Sequence, residues 1–278
     1  MNRHNAFFDL LEESFSGIKA NIGRCEALGF LWSSKPFLKE ENGEVISHVG
    51  FLEYPMLIEG RWYRAGAIHA ICTKTSHRGR GLASQLIQEA LAWAKKEYEL
   101  VILFTEIPKF YEKLSFQSIQ EYRFLLKCER PKGTKPLKPL TAPQDLPLFL
   151  DCFQNRAPLS NHVWVKDLGV IAAFNTLFAT YPTFWSLSYS SSIQGIISYQ
   201  LEGKTLHLFD VIASQIPSLE LILDHLPTEI EEIYFYFSPD RLTSSAIPEP
   251  YLYDKGHFMM YGTWPATKPF MISPLSRC

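Results

Sequence analysis

The passage that most restricts what this chain can fold into runs from Ala67 to Ser84, where a strand gives way to a helix through glycines and arginines. Ala67-Ile68-His69-Ala70-Ile71-Cys72-Thr73 has the apolar, β-branched character of a strand. Beyond the loop, Leu82, Leu86, Ala90 and Trp93 fall on one helical stripe, with Gln85, Gln88, Glu89 and Lys96 elsewhere. Lys74 to His77 and Arg78-Gly79-Arg80-Gly81 lie between them. Glycines permit positive φ and close backbone approach, and a helix start offers unpaired N–H groups with a favourable dipole. Such a passage binds phosphate. Arg78 and Arg80 add mobile positive charge, and the small Ala83 lets a ligand lie against the first turn. It is neither a Walker loop, which needs GxxxxGK[ST], nor a dinucleotide fingerprint, since Gly79-Arg80-Gly81 is not followed by the third glycine.

With 278 residues, the chain exceeds the usual size of one core, and two domains of roughly 130–140 residues are expected. A net charge of −2 gives no global field toward nucleic acid or anionic lipid, so neither is an expected partner. Cys25, Cys72, Cys128, Cys152 and Cys278 are odd in number and scattered, without the spacing of a disulfide framework or a zinc site. No metal is expected. Met1 to Leu11 lacks the apolar core of a secretory signal, and no run approaches the ~18 apolar residues of a membrane span. The expected location is the cytoplasm.

Asn5 to Ala27 reads as helical, and Ser34 to Asn42 as a short strand with loops. Val45–Ile58 and Arg61–Thr73 read as the long strands of an antiparallel hairpin turning at Glu59-Gly60. Leu100 to Phe104 is a short buried strand, Pro108 suits a first helical turn, and Phe116 to Cys128 suits two closing strands. Pro131, Gly133, Pro136 and Pro139 mark a linker, giving domains at 1–130 and 140–278 with 131–139 between. In the second half, Leu140–Phe153, Trp164–Phe178 and Ile216–Leu226 read as helices. Thr183–Tyr189, Ile193–Gln200, Thr205–Ala213, Glu232–Phe237 and Phe258–Tyr261 read as strands. The order of elements recurs, which suggests duplication of a fold.

The spacing of Arg78, Gly81 and Ala83, Arg-x-x-Gly-x-Ala, resembles the pyrophosphate loop of the GNAT N-acetyltransferase superfamily. Phe110-Tyr111-Glu112-Lys113-Leu114-Ser115-Phe116 is similar to that family's FYxxxGF segment, with Ser115 where glycine is usual. The resemblance covers roughly residues 1–128. The long hairpin around Glu59-Gly60 looks most like the tandem-domain aminoglycoside acetyltransferases of the enhanced-intracellular-survival type, in which a degenerate GNAT-like domain follows; the chain is too short for their third domain. The resemblance implies an α/β (α+β) fold: a GNAT-type central mixed sheet flanked by helices, then a second degenerate GNAT-like α/β domain. It implies acetyl-CoA held by Ile71, Cys72, Thr73, Arg78, Gly79, Arg80, Gly81, Leu82, Ala83 and Ser84. If the position of Ser115 demands positive φ, serine costs stability there.

In the GNAT scheme an amine attacks the thioester directly. Backbone N–H groups around Ile71 to Thr73 then serve the oxyanion, and Tyr111, by position, protonates the thiolate. An ordinary phenol pKa of ~10 stands against ~8.5 for the thiol. His69, with a pKa near ~6.5, is the candidate base, as at the corresponding place in arylalkylamine acetyltransferases. The competing reading is a buried histidine satisfied by a backbone carbonyl. Glu106, Glu53 and a carboxylate at Cys278 are further candidates.

The second half has no comparable loop: Ser214-Gln215-Ile216-Pro217 lacks glycine and arginine, and proline has no N–H to offer. That half is expected to cap the cleft or to mediate assembly, including a homo-oligomer. Its aromatics Trp164, Phe184, Trp185, Tyr234, Tyr236, Tyr251 and Tyr253 read as core. The expected activity is N-acetylation of a small-molecule or peptide amine. The competing reading is a non-catalytic acyl-CoA-binding or regulatory protein.

Overall fold

The computed structural model describes residues 3–30, 33–167, 169–176 and 186–278. Two helices open the chain, α1 (Arg3–Ser14) and α2 (Ile18–Ala27), broken at Gly17 with φ 84°. Then come β1 (Lys35–Glu41), β2 (Glu44–Glu53), β3 (Met56–Ile58), β4 (Arg61–Tyr63) and β5 (Ala65–Thr73). Helix α3 (Leu82–Ala94), β6 (Leu100–Thr105), α4 (Pro108–Glu112), β7 (Phe116–Ser118) and β8 (Glu121–Arg130) follow. The rest comprises β9 (Lys138–Pro139), α5 (Leu146–Asn155), β10 (Val163–Val165), α6 (Val170–Thr176), β11 (Leu187–Ser190) and β12 (Gly195–Glu202). It closes with β13 (Thr205–Ala213), α7 (Leu219–Leu223), β14 (Ile230–Phe235), β15 (Ile247–Tyr251) and β16 (His257–Tyr261).

The first sheet runs β1-β2-β5-β6-β16-β7, and the second runs β15-β8-β14-β13-β12-β11-β9. Each contains one parallel pair among antiparallel ones, β5 with β6 and β13 with β14. The expected hairpin is present but broken near Pro55, where a ladder donor is missing. Its tip, β3 and β4, leaves the first sheet and pairs instead with β10. Trp164 and Val165 are therefore strand where the sequence suggested the start of a helix. Thr183–Trp185 and Leu177–Phe178 lie outside the described residues.

Core packing follows the strand alternation. Leu100 and Ile102 of β6 join Phe258 and Met260 of β16 in one cluster, while Val101, Leu103 and Met259 join a second cluster on the other face. Helix α3 covers that second face with Leu86, Ile87, Ala90, Leu91 and Ala94. A strand buried on both faces reads as an unbroken apolar run, as Leu100 to Phe104 does.

The sheets do not respect the sequence boundary expected at 131–139. β8 does not close the first sheet; it lies inside the second, between β15 and β14. In return β16 enters the first sheet between β6 and β7. The linker segment is also built in: Gly133 N–H donates to Leu226 O at 2.8 Å, Lys135 N–H to Asp224 O at 2.9 Å, and β9 pairs with β11. The halves exchange one strand each. Residues 1–130 alone would lack β16, so this fragment should show no cooperative urea transition; a sharp transition would mean that β16 is dispensable.

Candidate active site

Strands β5 and β6 pair from Ala65↔Leu100 to Ala67↔Ile102, after which β5 continues to Thr73 with β2 as its sole partner strand among the described residues. Within that stretch β5 carries a bulge. His69 faces Gly50 and Cys72 faces His48, so Ala70 and Ile71 together oppose Val49. Ala70 has φ 49°. Lys74 N–H donates to Ile46 O at 2.9 Å, and Cys72 O accepts from Ser47 Oγ at 3.1 Å, so even-numbered residues here face β2. Alternation then turns the backbone of Ile71 and Thr73 toward the open split. The Thr73 carbonyl on that side accepts from Arg78 Nε at 3.1 Å.

Past the split, Gly79 and Gly81 adopt φ 78° and 74°, a conformation costly for any other residue, and a Cβ at either would meet nothing within 4 Å. Gly81 stands at the N-cap of α3 with no side chain capping it, and the first intrahelical bond is Gln85 N–H to Gly81 O at 3.1 Å. The N–H groups of Leu82, Ala83 and Ser84 thus carry the unpaired donors of a helix start. Ile71, Cys72, Thr73, Arg78, Gly79, Gly81, Leu82, Ala83 and Ser84 line one groove of about 580 Å³ with Ser14, Phe15, Ile107, Phe110 and Tyr111. The fit to a phosphate-bearing thioester is good.

Arg80 is the exception. Its guanidinium grips Glu41 at 3.1 and 3.3 Å, and His77 Nε2 meets the same carboxylate at 2.8 Å. Both contacts depress the Glu41 pKa, Arg80 more than His77. Arg80 fastens the loop to β1 instead of offering mobile charge. The Glu13 carboxylate fastens it to α1, accepting from Thr75 N–H at 3.1 Å and Thr75 Oγ1 at 2.9 Å.

A second, more apolar cavity of about 500 Å³ meets the groove at Phe15, Ile71 and Tyr111. Ile68 to Ile71 line the cavity and Ile71 to Thr73 the groove, so β5 runs through both. Tyr111 is buried, shares a side-chain hydrogen bond with Thr105, and has its pKa pushed up to about 12 by burial. Its phenol holds a proton at any working pH.

His69 lies in the cavity wall, but not as the base expected from a pKa near ~6.5. Burial, with His48 adding to it, drives its pKa down to about 3. Its Nε2 bonds Ser34 Oγ at 2.7 Å. A Cβ at position 50 would sit 2.5 Å from that nitrogen, so glycine makes room for the pair. His48, which the sequence reading passed over, is buried beside it and bonds Ala70 O through Nδ1 at 2.7 Å, holding the bulge. Counting register outward from the Glu59-Gly60 turn would have placed His48 near Cys72. Glu106 is exposed at the cavity edge, and Cys278 also lines the cavity. Glu53 lies elsewhere, against Arg64 at 3.5 Å and Tyr98 at 3.3 Å. The Cys72 thiol is pushed up to about 11 by burial, so it stays protonated and is no nucleophile.

A model of the family described as acetyltransferase (GNAT) domain matches residues 2–119. Residues 2–119 are a GNAT acetyltransferase domain. A probable N-acyltransferase of unknown function from Enterococcus faecalis V583 has a similar structure, with TM-score 0.61 and 14% identity over 94% of this chain and 70% of that one. Eis1 from Mycobacterium abscessus gives TM-score 0.57 and 15% identity over 84% and 64%, so this chain spans less than two thirds of it. A GCN5-related N-acetyltransferase from Anabaena variabilis ATCC 29413 gives TM-score 0.55 and 15% identity over 91% and 68%. No curated protein sequence matches the chain. These likenesses extend the GNAT-type fold over both halves.

Two outcomes follow from this GNAT site. Ser115 adopts φ 67° in the position the family gives to glycine. Ser115→Gly should raise stability by about 1 kcal/mol, seen as a melting temperature ~2–4 °C higher; no rise would mean the strain is relieved elsewhere. His69 is neutral when folded and protonates when unfolded, so its contribution is full above its ordinary pKa and is lost as pH falls from there toward 3. Between pH 7 and 4.5 wild type should lose ~2–3 kcal/mol more than His69→Gln by urea unfolding. Parallel losses would contradict the depressed pKa.

Proposed function

We propose that the chain transfers an acetyl group from acetyl-CoA to a primary amine by direct attack in a ternary complex. The observation that carries this reading is the junction at Ile71 and Tyr111, where the glycine-loop groove and the apolar cavity meet. Groove residues Arg78, Gly79 and Gly81 to Ser84 hold the pyrophosphate, and the thioester reaches the junction from that side. The amine enters through the cavity.

The amine nitrogen attacks the thioester carbonyl carbon; a C–N bond forms, the C–S bond breaks, nitrogen loses one proton and sulfur gains one. The Ile71 N–H, turned to the split by the bulge, donates to the carbonyl oxygen as charge builds on it. Tyr111, with a pKa near 12, outranks a thiol of ~8.5 as a holder of its proton. Its role is therefore hydrogen-bond donation to the departing sulfur, with full transfer drawn by the proton released from nitrogen. The apolar cavity disfavours the ammonium form and lowers the amine's own pKa. That lightens the task of a base, which His69 at about 3 performs poorly. His69 and Ser34 shape the wall. Ser115 reaches the family's backbone conformation despite its Cβ, so it gives no ground for a decayed site. An enzyme drawing on acetyl-CoA needs a compartment that holds this thioester, which supports a cytoplasmic location.

The test is calorimetry with acetyl-CoA, followed by free-thiol release over a panel of amines. Tyr111→Phe should lower kcat by ~10²-fold with acetyl-CoA affinity little changed. Arg78→Ala should weaken acetyl-CoA binding by ~10-fold, the worth of one charge-assisted contact. Unchanged turnover in the first variant removes Tyr111 from the chemistry, and unchanged affinity in the second removes the loop assignment.

A further inference from the structure

The cavity beyond the junction has a lining that speaks to the acceptor. Phe7 and Leu11 of α1, Ile22 of α2, Phe104 of β6, and Ile171 and Phe174 of α6 form its walls. Both halves of the chain contribute. Its size of about 500 Å³ suits a small organic molecule. Among the described residues, few ionisable groups face it. His48 and His69 are both held neutral by burial. Arg277 is bound to Glu121 at 2.6 Å. Tyr111 and Cys278 keep their protons, with pKa values of about 12 each. The side-chain carboxylates there, Glu106 and Asp254, are exposed and sit at the edge, and a carboxylate at Cys278 adds one more.

A polyamine or aminoglycoside carries several ammonium groups, and each one desolvated in such a space needs its own carboxylate. Among the described residues the walls offer one carboxylate at most, at Cys278, which serves a single ammonium and not several. An apolar body, by contrast, gains from every methylene it hides from water. We propose that the acceptor is a monoamine on an apolar body, an alkylamine or arylalkylamine, and not a polycation. The proposal rests on the transferase reading above. It departs from the aminoglycoside resemblance of the hairpin, because the hairpin tip pairs with β10 and is absent from the cavity lining.

The experiment measures thiol release from acetyl-CoA with the full chain, using propylamine, butylamine, hexylamine, octylamine and phenethylamine, against spermidine and kanamycin. kcat/KM should rise by about fourfold per methylene over the short members, and phenethylamine should exceed both polycations. A flat alkylamine series, or spermidine or kanamycin as the best acceptor, overturns the proposal while leaving the transferase reading intact. Octanoyl-CoA with propylamine outrunning acetyl-CoA with octylamine also overturns it, since the cavity then houses an acyl chain. Turnover with no amine overturns it too. Calorimetry with acetyl-CoA on the same sample separates the causes: binding leaves the cofactor half of the reading standing, and no binding removes the whole.

Discussion

Two parallel strands that pair over three residues and then part create a problem for which a ligand is the natural answer. Buried backbone N–H and C=O groups need partners. Where β6 leaves β5 after Ala67, the backbone of Ile71 and Thr73 faces a gap instead of a strand. The bulge at Ala70 and Ile71 sets which groups face it, and the His48 ring fixes the bulge through the Ala70 carbonyl. Arg78 answers one carbonyl from the loop side. The rest of the site follows from this opening: the groove enters it from one end and the apolar cavity from the other.

The interlocking of the two halves keeps the opening in place. Strand β16, contributed by the second half, occupies the far side of β6, and β8 leaves the first half to join the second sheet. A C-terminal segment ties the two together. Ile272 N–H donates to Glu121 Oε1 at 3.0 Å, Ser273 Oγ to Asp210 Oδ2 at 2.7 Å, and Tyr54 OH to Ser276 O at 2.5 Å. Burial raises the pKa of Glu121 and of Asp210, with Arg277 and Arg156 opposing it. These are costly groups to bury, and removing one partner would strand the other. They hold Arg277 and Cys278 at the cavity wall, where residues of the first half face them.

How much of this was written in the sequence depends on how local each signal is. The strand, glycine loop and helix were legible because their cues sit within a short window, and Phe110 to Phe116 confirmed the order. Arg80 was misjudged because its partner, Glu41, lies on another strand. His69 was legible as a residue of the strand, but its pKa depends on burial that no local pattern reveals. The strand character of Phe258 to Tyr261 was visible, yet its place beside β6 was not, since pairing across that span leaves no periodicity to count. The linker composition of 131–139 was misleading for a related reason: proline and glycine there shape a segment that docks onto the chain near α7. The cavity lining was the least legible part, drawn from α1, α2, β6 and α6 at once.

The central claim is that the split between β5 and β6 presents the thioester to the cavity. A crystal structure of the chain with CoA bound tests it most directly. The account places the pyrophosphate on the backbone of Gly79 to Ser84 and the sulfur within hydrogen-bond reach of the Tyr111 hydroxyl, beside Ile71. A pyrophosphate seated elsewhere, or a sulfur pointing away from Tyr111 and the cavity, would contradict it.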